Sequence, residues 1–186
     1  PANMLVLRSF GKFFGLAGIR IGFAFAQGDL AKKITDQLGL WMINGPAQYI
    51  SAKAFADTHW QLNARVQLAA DAQYTQSLFK PLFDVLAKIE RIEKQCDYDL
   101  FSAIEMSLGK ALAIQEHFCK AGVLLRVISL NEIETKCGRA LLRIGVLDHK
   151  NSEHQVKVKT CIAQYINNIK IVSVSFTATN NDRVKL

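Results

Sequence analysis

Ser9, Lys12 and Arg20 stand within one short run of this 186-residue chain, Ser9-Phe10-Gly11-Lys12-Phe13-Phe14-Gly15-Leu16-Ala17-Gly18-Ile19-Arg20-Ile21-Gly22. Those residue types at that spacing point to amine chemistry on a phosphate-bearing aldehyde. A lysine that forms a Schiff base must be held against one aldehyde and must be present in part as the free amine. A serine hydroxyl and a forked guanidinium close by can hold a phosphate. Gly11, Gly15, Ala17 and Gly18 are small enough for the backbone to approach a flat ligand. A lone Lys-x-x-Gly would be read as a surface turn; the length of the ordered run argues for chemistry.

The elements that must position these residues follow from the pattern around them. Met4 to Leu7 and Ile19 to Ala26 carry few charges and are predicted as two buried strands flanking the lysine turn. Gly28-Asp29 opens a helix with Asp29 as N-cap and Leu30, Ile34 and Leu38 on one face. Gly39 and Asn44-Gly45-Pro46 break the pattern, and a helix is expected from about Ala47 to Ala56. Thr58-x-x-Gln61 has the form of a capping box. It predicts a long helix, with Trp60, Ala64, Leu68 and Ala72 on one face, that stops before Pro81. Lys88 to Glu93, Tyr98 to Glu105, Val123 to Ile128 and Ala140 to Val146 read as strands. Ser107 caps a helix through Lys120, ended by Gly122. Ser152-x-x-Gln155 opens a last helix to about Tyr165. In the tail, Ile169 to Leu186, apolar Val172, Val174 and Phe176 alternate with Ser173, Ser175 and Thr177, which predicts one half-exposed strand.

The run Ser-x-x-Lys-x-x-Gly-Leu-Ala-Gly-x-Arg-x-Gly resembles the active-site lysine motif of fold-type-I pyridoxal-phosphate enzymes, the class I/II aminotransferase superfamily. Every fixed position is matched between Ser9 and Gly22. The resemblance implies that Lys12 bonds to the aldehyde of pyridoxal 5'-phosphate and that Ser9 and Arg20 bind its phosphate. It implies an α/β fold: the end of a large domain with a mainly parallel sheet, then an α/β small domain. The domains would be residues 1–80 with a linking helix, residues 81–168, and a tail of unassigned role at 169–186. Members of the family are about twice as long and carry the lysine near the middle, so the N-terminal half of such an enzyme is not in this sequence. That half would hold the aspartate under the pyridine nitrogen and the ring-stacking aromatic.

A finer resemblance rests on Ser9 to Gly18, on Asn44-Gly45-Pro46-Ala47 and on Ala54-Phe55-Ala56-Asp57-Thr58-His59-Trp60. These segments are similar to the threonine-phosphate decarboxylases of cobalamin biosynthesis. The implied reaction is decarboxylation of L-threonine O-3-phosphate to aminopropanol phosphate. The lysine motif is equally compatible with a histidinol-phosphate-type aminotransferase, and a third reading is an inactive half-enzyme. By resemblance, Arg143 in Leu141-Leu142-Arg143-Ile144-Gly145 pairs with a substrate carboxylate, a role that suits its planar fork. Arg126, in Val123-Leu124-Leu125-Arg126-Val127, matches a second family arginine. Arg139 is the competitor of Arg143, and its place at a strand start predicts exposure. Asn44 is read as a turn residue before Gly45-Pro46, with the site entrance as the alternative. Trp41 and Trp60 are read as core, and Tyr49 and Tyr74 as helix packing.

Composition narrows the remaining classes. Half of the residues are hydrophobic, which excludes a disordered chain. No apolar run is long enough for a membrane span. Pro1 to Arg8 lacks the basic-then-apolar order of a secretory leader, and a cytoplasmic place is expected. Cys96, Cys119, Cys137 and Cys161 form no Cys-x-x-Cys pair, so reduced structural thiols are expected and no metal. His59, His117, His149 and His154 also lack ligand spacing and are read mostly as surface residues. The net charge of +7 invites a nucleic-acid reading. The lysines are dispersed and not interleaved with aromatics, so a phosphorylated cofactor and substrate account for it better. Homodimerisation is implied by the resemblance alone.

Overall fold

The computed structural model describes residues 4–89, 92, 94–132 and 137–181; for Lys94 and residues 170–181 the description is of the backbone. The chain divides into two compact units, residues 1–65 and 66–186. It is of the α/β class expected, and every strand pairing among the described residues is antiparallel.

In the first unit β1 (Val6–Ser9) leads into a single-turn helix, α1 (Phe10–Phe13), then a 3-10 turn at Ala17–Ile19 and β2 (Gly22–Phe25). β1 and β2 pair with Val6 opposite Phe25 and Ser9 opposite Gly22. Both were expected to be buried. Instead every residue of β1 is exposed, Leu7 at 70%, and in β2 Phe23 alone is half-buried, its ring on that of Phe55. A strand is buried only when both faces are covered, and within this unit little lies over the pair.

α2 (Gly28–Leu38) forms where expected, with Gln27 at the N-cap and Asp29 inside the first turn. Gly39 ends it at φ 72°, a conformation that favours glycine, and its N–H returns to the Thr35 carbonyl. α3 (Gly45–Ala56) starts at Asn44, whose Oδ1 accepts the Ala47 N–H at 2.8 Å; Pro46 sits in the first turn, where a missing N–H costs nothing. α4 (Thr58–Ile89) is capped by Asp57, whose Oδ1 accepts from Trp60 N, and not by Thr58. Gln61 reaches back to the carbonyls of Ala54 and Phe55, tying the start of α4 to the end of α3. Neither tryptophan is the core residue expected: Trp60 packs on Phe14 but is 41% exposed, and Trp41 is 94% exposed between α2 and α3; Tyr49 is exposed beneath Lys53.

α4 does not stop before Pro81. Leu78, Phe79, Leu82, Phe83 and Leu86, on both sides of the proline, are all buried in the core of the second unit. Each such burial is worth about 1.5–3 kcal/mol, which together outweighs the roughly 3 kcal/mol cost of an interior proline. Of the expected strand at Lys88 to Glu93, residues 88–89 are helix and residues 90, 91 and 93 lie outside the described residues; the next strand is β3 (Lys94–Tyr98). The run expected as one strand to Glu105 contains a two-residue hairpin turn at Asp99-Leu100, after which β4 (Phe101–Ser107) pairs back.

α5 (Leu108–Lys120) follows, and its end is a Schellman motif: Val123 N–H bonds the Phe118 carbonyl and Gly122 N–H, at φ 73°, bonds that of Cys119. β5 (Arg126–Ser129) and β6 (Arg139–Gly145) complete a sheet of order β3-β4-β6-β5. One face of it, through Ile104, Met106, Ala140, Leu142 and Ile144, packs with α4, α5 and the last helix. That helix, α6 (Ser152–Asn181), is capped by Asn151 through the His154 N–H. It runs on through residues 169–181 of the tail, where a strand was expected; residues 152–181 contain no glycine or proline, and extending a nucleated helix is easier than starting a new element. Cys161 lies buried in the core, and burial pushes its thiol pKa up. No helix among the described residues is long and apolar enough to cross a membrane.

The first unit is held by aromatic rings, of which Phe10 is the buried one at 2% exposure. Phe10→Ala is expected to cost about 3 kcal/mol, the usual range for deleting a buried phenyl ring. Phe25→Ala, at an exposed position, is expected to cost under about 1 kcal/mol. Thermal unfolding followed by near-ultraviolet circular dichroism measures both.

Candidate active site

Lys12 sits on a turn that aromatic side chains clamp from both sides. Phe10 stacks on Phe14 at 4.4 Å between centroids, and both meet Phe55 of α3 edge-on at 5.4 and 5.5 Å. Phe14 also stacks on Trp60 at 5.5 Å, while Phe13 meets Trp60 edge-on and lies under the Arg65 guanidinium. Three rings at positions 10, 13 and 14 therefore face the packing and leave Lys12 exposed. Such pairs contribute about 0.5–1.5 kcal/mol each beyond area burial.

The exposed side of this turn lines a cavity of about 510 Å³ with Ser9, Lys12 and Arg20, the three residues singled out for cofactor binding. That volume is in the ordinary range for small-molecule sites. Its walls also include Arg8, Gly11, Ala17 and Gly22, and no carboxylate is among its lining residues. Three cations and a hydroxyl around one space make an anion-attracting site, so the residues present fit a phosphorylated aldehyde. Arg8 was not anticipated; an arginine inside a strand carries no local signal.

Arg20 is held in an unusual way. It is the one non-glycine residue at positive φ among those described, at φ 58° and ψ 47°. The left-handed region costs a residue with a Cβ roughly 1–2 kcal/mol. Its Nη1 donates to the Ala17 carbonyl at 3.3 Å, which closes the turn on itself. Strain of this kind gathers at ligand sites. Asn44 is the turn and capping residue expected, and its Nδ2 also reaches the Ile19 carbonyl at 3.5 Å, beside Arg20.

Arg126 and Arg143 belong to the other compact unit, and the sheet register brings them together. They are directly opposite each other on β5 and β6, so both project from the same face. That face is the one turned away from the Ala140, Leu142 and Ile144 core. Arg143 lies over the Phe101 ring, 4.5 Å from its centroid. Neither arginine makes an ion pair with a described residue. Like charges directly opposite are unfavourable unless an anion lies between them. Arg139 is corrected: its side chain is 15% exposed and pairs with Glu105, whose backbone carbonyl it also reaches at 3.2 Å. It is a structural residue of the sheet.

The end of β6 is fastened by a cluster that sequence reasoning missed. Asp71 of α4, 7% exposed, accepts from the His149 backbone N–H at 2.8 Å, from His149 Nδ1 at 2.6 Å and from Gln67. Lys150 Nζ bonds Gln67, and Leu147 N–H bonds Thr75 Oγ1. His149 is thus a buckle and not the surface residue expected. Asp148 brings a second carboxylate near, but Asp71 is already taken up by N–H donors, so the cluster reads as a fastening.

Burial pushes the Asp71 carboxyl up, but hydrogen bonds from the His149 backbone and ring, then Gln67, outweigh it and hold its pKa below the ordinary value. The unfolded chain would titrate near 3.9. A carboxyl with a depressed folded pKa stabilises fully above about pH 4, and that contribution is lost as pH falls through the folded value. Asp71→Ala is expected to lose about 3 kcal/mol at pH 7 and to show a shallower loss of stability below about pH 4 than the parent. Urea unfolding at several pH values measures it.

Comparisons with known proteins give the fold and the family. The fold overlays on the histidinol-phosphate aminotransferase from Clostridium acetobutylicum with a TM-score of 0.59 at 20% identity, over 88% of this chain and 47% of that one. Residues 1–158 match the family model "Aminotransferase class I and II", and the chain belongs to that family. It is 43% identical over 78 residues to a threonine-phosphate decarboxylase of Pseudomonas aeruginosa, covering 42% of this chain and 24% of the relative. To one from Sinorhizobium sp it is 34% identical over 131 residues, 67% of this chain and 34% of the relative. The matched stretches thus span less than half the length of these relatives.

Proposed function

We propose that this chain supplies the lysine-bearing part of a pyridoxal-phosphate enzyme that decarboxylates L-threonine O-3-phosphate to aminopropanol phosphate. The observation that carries the cofactor part of this reading is the cavity in which Ser9, Lys12 and Arg20 meet without a carboxylate. Family membership and two threonine-phosphate decarboxylases among the relatives support it. Production of the cobalamin side chain would follow from that reaction.

Bound pyridoxal phosphate supplies an electron sink for the Cα bond that the protein selects. The residues of the chain do the rest. Lys12 provides the amine that holds the aldehyde carbon. The Ser9 hydroxyl would donate to the phosphate, and the Arg20 fork would neutralise its charge. Arg126 and Arg143, side by side on one sheet face, are suited to the anionic groups of a phosphorylated amino acid. In a decarboxylase the substrate would be held so that its carboxylate is the group that leaves. In an aminotransferase Lys12 carries the Cα proton instead. A homodimer in the full-length enzyme goes with this reading.

The test uses a polypeptide of the relatives' full length that carries these 186 residues. Release of CO₂ from phosphothreonine with no oxo acid present is the expected result, and Lys12→Ala is expected to lower it by at least about a thousandfold. Glutamate formed from histidinol phosphate and 2-oxoglutarate, without CO₂ from phosphothreonine, would mean that the enzyme is an aminotransferase.

A further inference from the structure

We infer that Phe101 is a positioning residue for Arg143, holding its guanidinium on the sheet face it shares with Arg126 before an anion arrives. This rests on the reading of those two arginines as the grip on an anionic group of the substrate. β4 makes the contact possible. The residue directly opposite Arg143 on that strand is Ala103, and Phe101 stands two positions along on the same face. A methyl group opposite leaves the long arginine room to cross the ladder diagonally, a span within reach of aromatic and long side chains. The guanidinium carbon ends 4.5 Å from the Phe101 ring centroid, inside the range for a cation over an aromatic face. Both side chains are half-buried, so water screens the contact only in part. Tyr98, opposite Phe101 on β3, buttresses the ring from that side with centroids 5.2 Å apart.

The arginine four residues back shows what a ring does that a carboxylate does not. Arg139 lies on the same face of β6 and is held by Glu105, so its charge is spent within the sheet. Arg143, held by a ring, keeps its charge for a ligand. On its other side Arg126 is directly opposite on β5, and like charges so placed repel. The ring keeps the Arg143 guanidinium on the shared face against that push. An arginine fixed in advance loses less rotamer freedom when the anion binds, so more of the contact appears as affinity. The effect of Phe101 is therefore on substrate binding, and it passes through Arg143.

The experiment uses the full-length polypeptide and whichever mixture the parent turns over, phosphothreonine alone or histidinol phosphate with 2-oxoglutarate. Phe101→Leu keeps the apolar bulk and removes the aromatic face; Phe101→Tyr keeps the face. Phe101→Leu is expected to raise KM for the phosphorylated substrate roughly two- to thirtyfold with kcat within about twofold, the pattern of lost binding. Phe101→Tyr is expected to retain the parental KM. In an Arg143→Gln background, Phe101→Leu is expected to change KM by no more than about twofold, because the group it acts through is gone. Trifluorophenylalanine placed at position 101 has nearly the parent's shape and a weakened aromatic face, and it is expected to raise KM severalfold. That variant decides the matter if Phe101→Leu does not fold. A ring that serves packing alone would leave KM unmoved by the fluorines, or would give the same loss with and without Arg143. Either result overturns the inference and leaves the proposed function standing. Turnover of the histidinol phosphate mixture alone overturns the decarboxylase reading, and the same variants then test the inference on that substrate. A parent inactive on both mixtures overturns both.

Discussion

Aromatic packing behind Lys12 is the constraint on which the rest of the first unit depends. Lys12 is exposed and α1 is one turn long, so the helix cannot hold itself. What fixes it is the set of rings at positions 10, 13 and 14, which alternate around the lysine and reach Phe55 and Trp60. These rings belong to α3 and the first turn of α4, and the two helices are tied by Gln61 on the Ala54 and Phe55 carbonyls. The cavity in front of Lys12 is thus the outer side of an aromatic cluster. Its lining mixes small and apolar residues, and its charge is entirely positive among the lining residues.

The second unit solves a different problem. Its sheet buries one face and leaves the other to Arg126 and Arg143, an arrangement that the period of two along each strand produces. The Phe101 ring under Arg143 orients that guanidinium without neutralising it. The hydrogen bonds that Leu147 and His149 donate to Thr75 and Asp71 fasten the segment that follows β6, and so the strand that carries Arg143.

Much of this was legible in the sequence, for local reasons. The Ser9–Gly22 run announced the lysine turn, and Gly122 and Gly39 announced helix ends by the backbone shape those ends require. Helix starts were found one residue late at Asp57 and Asn151, because Asp-Thr and Asn-Ser offer two capping side chains in succession. The misses are mostly non-local. Pro81 reads as a stop until the core on both sides of it is known. The hairpin at residues 99–100 interrupts a run that is uniformly strand-like. The Asp71–His149 buckle joins residues 78 positions apart, and no pattern in either neighbourhood marks it. The pairing of Arg126 with Arg143 is a matter of register, which spacing along a strand does not specify. The exposure of β1 and Trp41 departs from expectation because hydropathy reports what a segment can bury, not what this chain brings to cover it.

The most direct test of the account is to map where pyridoxal phosphate attaches. The full-length polypeptide would be treated with the cofactor, reduced with borohydride and digested, and the labelled peptide sequenced by mass spectrometry. The account predicts label on Lys12 alone, suppressed by inorganic phosphate and reduced by Arg20→Gln. Label spread over several surface lysines, insensitive to phosphate, would contradict it.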